Sequence, residues 1–157
     1  AIYIGGGTGI ADGVILNGKL IDFNERDEIK RSWELIMENG KTVESCLSPK
    51  GMIDQWNLSH SDKIERLDQL SQKENANPIF EKAAVAFSFL IQDRIRFFNT
   101  NHAKVEKIVI GQRLGAFISS SDNILKSFFE SKTDIPIAIS SDRRTAALGA
   151  AWKKICS

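Results

Sequence analysis

The stretch that most limits how this chain can fold is "IYIGGGTGIADGVILNGKLI", residues 2 to 21. Two apolar runs are divided by the glycine-rich turn Gly5–Gly9, and the second ends at Asn17-Gly18. An Asn-Gly pair between apolar runs is a strong hairpin signal, because a type I′ turn needs positive φ at both central positions. The reading is a strand at Ile2–Ile4, a second at Ile10–Leu16 and a returning strand at Lys19–Phe23. Strands joined by turns this short are antiparallel neighbours.

The rest of the chain changes character. "SWELIMENG", Ser32–Gly40, alternates loosely and ends in Asn39-Gly40, which predicts a further strand. "TVESCLSPKGMIDQW" predicts a short helix interrupted near Ser48-Pro49, since proline disfavours helical geometry in the residue before it. Ile64, Leu67 and Leu70 fall at helical spacing within Ser61–Gln72. Pro78 suits the first turn of a helix, and the stripe Phe80, Ala83, Ala84, Phe87, Leu90, Ile91, Ile95, Phe98 marks Ile79–Phe98 as a long core helix. Strands at Val105–Ile110 and Ile135–Ile139, a helix from caps at Ser120–Asp122 through Phe129, and a last helix from about Asp142 complete the order. Three strands, an insert at about 32–77, then helix, strand, helix, strand, helix give a βββαβαβα order. That is the ribonuclease H-like pattern, an α/β domain with a mixed sheet and helices on both faces. Residues 1–157 read as one such domain.

Composition removes several function classes. Of 157 residues, 21 are basic and 20 acidic, and the +1 net charge gives no electrostatic pull toward nucleic acid or an anionic membrane. No apolar run approaches the ~18 residues of a membrane span, and the start lacks a signal-peptide pattern, so a cytoplasmic protein is expected. Cys46 and Cys156 have no CxxC or CxH neighbours and read as free thiols in a reducing compartment. His60 and His102 lack metal-ligand spacing and read, with the surface pair Arg143-Arg144, as solvated. Trp33, Trp56 and Trp152 read as packing residues. A two-metal nuclease of this fold would need a carboxylate cluster starting on the first strand, and Ala1–Ile10 contains no acidic residue.

The glycines carry the chemistry. A side-chain-poor turn lets the backbone approach a ligand and points N–H groups into one small concavity suited to phosphate oxygens. Gly7, Thr8 and Gly9 are the candidates for such contacts, the threonine adding a hydroxyl. A turn that merely needs positive φ and binds nothing is the alternative reading. Gly111 and Gln112 stand at the C-terminal end of a predicted strand, where open α/β sheets place ligands. A plain strand-ending turn is the alternative there, and Arg113 beside it reads as solvated.

"IGGGTGIADGVILNGKLI" resembles the second phosphate loop and following hairpin of actin-like sugar kinases, in particular the ROK family. "TVESCLSPKGM" is similar to that family's LE…SG segment, "KIVIGQRLG" to its adenosine-side VVLGGG segment and "AALGAAW" to its terminal LGAA helix. The resemblance implies nucleotide contacts at Gly7, Thr8, Gly9, Gly111 and Gln112, with Glu44 bonding a sugar hydroxyl. The bland alternative for Glu44 is a solvated residue in a first helical turn. ATP and Mg²⁺ are the implied cofactors, and a hexose or amino-hexose the implied acceptor.

Three departures bear on this resemblance. The family's histidine-and-cysteine zinc motif has no counterpart between Asp22 and Cys46, so no zinc is expected. Gln112-Arg113 replaces a glycine pair. Asp12 stands where a further glycine is usual and would repel a triphosphate unless it points away or meets a metal ion. The resemblance further implies the C-terminal, nucleotide-side domain of a two-domain kinase, whose N-terminal domain carries the general base. Taken alone the chain would then be inactive, and a homodimer through this domain is expected. The alternative function is a non-catalytic sugar-sensing or regulatory domain of the same fold.

Overall fold

The computed structural model describes residues 1–120 and 124–140, and the helix expected from Asp142, with Trp152 and Cys156, lies outside them. A five-stranded sheet forms the centre, in the order β3-β2-β1-β4-β5. Strand β1 is Ile2–Gly6, β2 is Ile10–Leu16 and β3 is Lys19–Leu20. Strand β4, Ile108–Gly111, and β5, Ile137–Ile139, follow much later in the chain. β1 pairs antiparallel with β2 and parallel with β4, and β5 extends the sheet parallel to β4. The sheet is therefore mixed, as the alternation of hairpins and crossovers requires.

The hairpin turn forms as its residues dictate, with Asn17 at φ 51° and Gly18 at φ 77°. The returning strand is shorter than expected. Ile21 N–H still bonds the Val14 carbonyl, but the Asp22 carboxylate accepts from Asn24 N–H and turns Phe23–Glu25 into a 3₁₀ turn. The strand expected over Ser32–Gly40 is absent. The Glu34 carboxylate accepts from Arg31 N–H, winding Ser32–Glu34 into a second 3₁₀ turn, and only an isolated bridge joins Ile36 to Thr42. Side chains that capture their own backbone outcompete a ladder here.

Helix α1, Val43–Leu47, and α2, Pro49–Ser59, abut at Ser48, which ends one and caps the other by accepting from Gly51 N–H. The proline interruption thus falls where expected. Helix α3 is only Leu67–Leu70, although Ile64, Leu67 and Leu70 are all buried. Asn57 explains the loss: its side-chain amide bonds both the N–H and the carbonyl of Ile64, holding that residue out of helical geometry. Helix α4, Asn77–Thr100, is the long core helix, with Phe80, Ala83, Ala84, Phe87, Leu90, Ile91 and Phe98 buried. It packs on α1 and on α6, Ile124–Glu130, where Phe87 stacks on Phe129 at 4.3 Å between ring centres.

Strand β4 starts later than expected because its ladder begins where β1 begins, at the Ile2–Ile108 pair. β5 is trimmed likewise, to the three residues facing β4. Helix α5, Gln112–Ile118, has no counterpart in the sequence reading. Gly115 in its middle weakens the helical signal, yet is there for packing: a methyl on it would lie 2.5 Å from the Ser140 carbonyl and 2.7 Å from that of Ile110. Cys46 is buried, as is Trp56, whereas Trp33 is exposed and not a packing residue. His60 is not free in solvent but stacks on Trp56 at 3.6 Å. No described helix is long and apolar enough to cross a membrane.

Candidate functional site

Parallel pairing of β1 with β4 brings their C-terminal ends side by side, with Gly5 opposite Gly111 and Gly6 bridged to Gln112. This is the position at which open α/β sheets present ligands. Gly7, Thr8, Gln112 and Arg113 line one cavity there of about 230 Å³. Beyond Arg113 a larger hollow of about 600 Å³ runs over Pro49, Leu67 and Phe117, with the paired Arg66 and Asp68 also lining it. Glu44 meets the exit of the same turn, at Gly9 and Ile10. Three stretches far apart in sequence thus supply the residues singled out for contact with a nucleotide and a sugar hydroxyl.

The glycine turn is tight for reasons of space. None of Gly5, Gly6, Gly7 or Gly9 has a positive φ, so the turn is not one that merely needs left-handed backbone. A methyl on Gly6 would sit 2.5 Å from Leu114 Cβ, and one on Gly5 2.9 Å from the Gln112 amide. A methyl on Gly9 would overlap the Glu44 carboxylate. Gly7 N–H donates to the Gly9 carbonyl at 2.9 Å, which closes the tip and commits that N–H internally. Thr8 is exposed at the tip.

Glu44 is not simply solvated. It sits in the first turn of α1, whose cap Thr42 accepts from Ser45 N–H, and its Oε2 accepts from Ile10 N–H at 3.0 Å. The carboxylate therefore holds the residue that leaves the glycine turn, and its second oxygen remains for a further partner. Gln112 has φ 59°, a left-handed backbone uncommon for a side chain of its kind. Its amide lies between Gly5 and Gly7. Gly111 is demanded by Tyr3, since a methyl there would lie 2.5 Å from the phenol oxygen. That oxygen is buried with no hydrogen-bond partner, and burial raises the Tyr3 phenol above its ordinary pKa.

Asp12 points away from the turn and meets a cation that belongs to the protein. Its Oδ2 accepts from Arg94 Nε at 2.6 Å, with the two side chains 1% and 0% exposed. Its Oδ1 accepts from Ser32 N–H at 3.1 Å. Arg94 is the residue that sequence reasoning missed. It lies on the stripe Phe87–Leu90–Ile91–Phe98, and an arginine at a core-facing step was the available signal for a buried partner. Among the described residues no three His, Cys, Asp or Glu side chains gather as a metal site would require.

No family profile matches the chain, and no curated protein matches it. Solved structures do. It superposes on a ROK hexokinase from Thermus thermophilus with a TM-score of 0.72 and 14% identity, over 98% of this chain and 59% of that one. A ROK family glucokinase from Streptomyces griseus, solved with glucose and AMPPNP, gives 0.67 and 14%, over 97% and 59%. A ROK family protein from Streptococcus pneumoniae in complex with sucrose gives 0.60 and 11%, over 87% and 51%. The fold is that of the ROK sugar kinases, and the chain spans less than three fifths of their length.

Proposed function

We propose that this chain is the nucleotide-side, C-terminal domain of a two-domain sugar kinase of the ROK type. The supporting observation is the convergence of Gly7, Thr8, Gln112 and Arg113 on one cavity at the ends of parallel strands, with Glu44 held at the exit of the same glycine turn. The reaction moves the γ-phosphoryl group of ATP to a hexose or amino-hexose hydroxyl oxygen. ADP leaves, and the hydroxyl proton passes to a base on the partner domain. Phosphoryl transfer depends on positioning and charge stabilisation, and a preorganised turn suits that task.

The donor set fits phosphate oxygens. The crowded glycines allow close approach, the Thr8 hydroxyl and Gln112 amide donate, and Arg113 supplies positive charge. Mg²⁺ bound with the nucleotide would neutralise developing phosphate charge. Glu44 would offer its second oxygen to a sugar hydroxyl.

The Gln112 amide between Gly5 and Gly7 also favours a second reading, a domain that senses sugar without transferring phosphate. Titrating AMPPNP with Mg²⁺ into the labelled chain tests the first. Shifts are expected at the amides of Thr8–Ile10 and Gly111–Arg113, with affinity in the millimolar range, and Thr8→Ala should weaken them. No shift at either segment up to about 10 mM overturns the nucleotide reading. A full-length parent that binds a hexose but transfers no phosphate decides for the sensor.

A further inference from the structure

A continuous line of hydrogen bonds runs from one buried arginine on α4 through β2 to the candidate site. Arg94 is wholly buried in α4 and its guanidinium is used on three sides. Nε bonds Asp12 at 2.6 Å, one terminal nitrogen bonds Asp93 at 2.5 Å and the other bonds the Lys30 carbonyl at 2.7 Å. The Phe23 ring covers it at 5.2 Å. Asp12 passes the constraint on by accepting from Ser32 N–H, and the Ser32 hydroxyl donates to the Ile10 carbonyl at 3.0 Å. Ile10 N–H in turn donates to Glu44, whose carboxylate lies against Gly9.

We propose that Arg94 is a positioning residue for the candidate site: through Asp12 and Ser32 it fixes Ile10, and thereby the seat of Glu44 beside the glycine turn. The segment from Asp22 to Thr42 has only two 3₁₀ turns and one isolated bridge as regular structure, and the buried Ile29, Leu35 and Met37 seat it on the core without fixing its polar groups in direction. The guanidinium adds that direction. Its planar fork of five donors satisfies partners in fixed directions, which a single ammonium point charge does not. Burial excludes the water that would otherwise compete for each bond.

A pair serving stability alone is replaceable. Buried ion pairs exchanged together for apolar residues of like volume leave folding nearly unchanged, whereas removing one partner strands a buried charge. The test therefore compares Asp12→Leu/Arg94→Met with the wild-type chain. Its thermal midpoint should fall by several degrees, because the Lys30 carbonyl and Ser32 N–H lose their partners and Asp93 its counter-charge. The chain should stay folded while the Ile10 amide exchanges hydrogen about tenfold faster because Glu44 and Ser32 no longer hold it. AMPPNP or hexose affinity should fall by a similar factor. Ser32→Ala, a milder break in the same line that keeps Arg94 and Asp12, should also speed Ile10 exchange.

Wild-type Ile10 exchange in Ser32→Ala overturns the proposal, as does wild-type exchange in a folded double variant. The affinity readout rests on the nucleotide and sugar reading above, but the exchange readout does not. Failure of the wild-type chain to bind AMPPNP therefore sinks that reading, and the Ile10 amide still decides the role of Arg94.

Discussion

Two turns flank β2, and both are built on glycine, for opposite reasons. At Asn17-Gly18 the backbone is left-handed and nothing lies within 4 Å of where a Gly18 side chain would stand. At Gly5–Gly9 no glycine has positive φ, and Gly5, Gly6 and Gly9 are each pressed by a neighbour from another element. One turn uses glycine for conformation and could stand in any hairpin. The other uses it for room, so its shape is imposed by Leu114, Gln112 and Glu44. A turn fixed by tertiary neighbours is preorganised, which is what a phosphate contact needs.

Alanine substitution should separate the two. Gly6→Ala has the largest expected effect, because the intruding methyl meets the stiff Leu114 Cβ and Pro49 Cδ. Overpacking of this kind costs about 3 kcal/mol, to be read by denaturant unfolding. A loss below about 0.5 kcal/mol would show the turn to be less crowded than described.

Gly9→Ala should cost less, about 1.5 kcal/mol, because the Glu44 carboxylate can swing aside at the expense of its bond from Ile10 N–H. In a Glu44→Ala background the same change should cost almost nothing, and a double-mutant cycle measures that coupling. Additive losses would mean that Gly9 is not there to admit Glu44.

Gly18→Ala should cost about 1 kcal/mol, all of it backbone strain, with nucleotide affinity untouched. A change in AMPPNP affinity would break the distinction between the turns. Gln112→Gly carries the smallest effect and the opposite sign. Relief of its left-handed backbone should raise stability by about 0.5 kcal/mol while weakening nucleotide binding. A fall in stability would show that the Gln112 amide supports the turn rather than the ligand.

The glycine turn, the hairpin and the long helix were legible because each is signalled within a few residues: glycines between apolar runs, Asn-Gly, and an apolar stripe of helical period. The convergence of Gly7 and Thr8 with Gln112 was not legible in any local pattern, because it follows from the parallel pairing of β1 with β4. What misled was local capture. Asp22, Glu34 and Asn57 bond nearby backbone and dissolve elements that apolar spacing alone predicts. Helix α5 was hidden by the glycine that lets it lie on the sheet.

Sequence determined the place of the two turns, of the strands around them and of the long helix, since periodicity and φ preference are properties of neighbouring residues. Only the tertiary structure decided what Asp12, Glu44 and Arg94 do. Asp12 and Arg94 stand 82 residues apart and meet with both side chains out of water. Glu44 reaches Ile10 across 34 residues. A charge in sequence reads as solvated until packing removes its water, and from then on it must find a partner wherever the fold brings one.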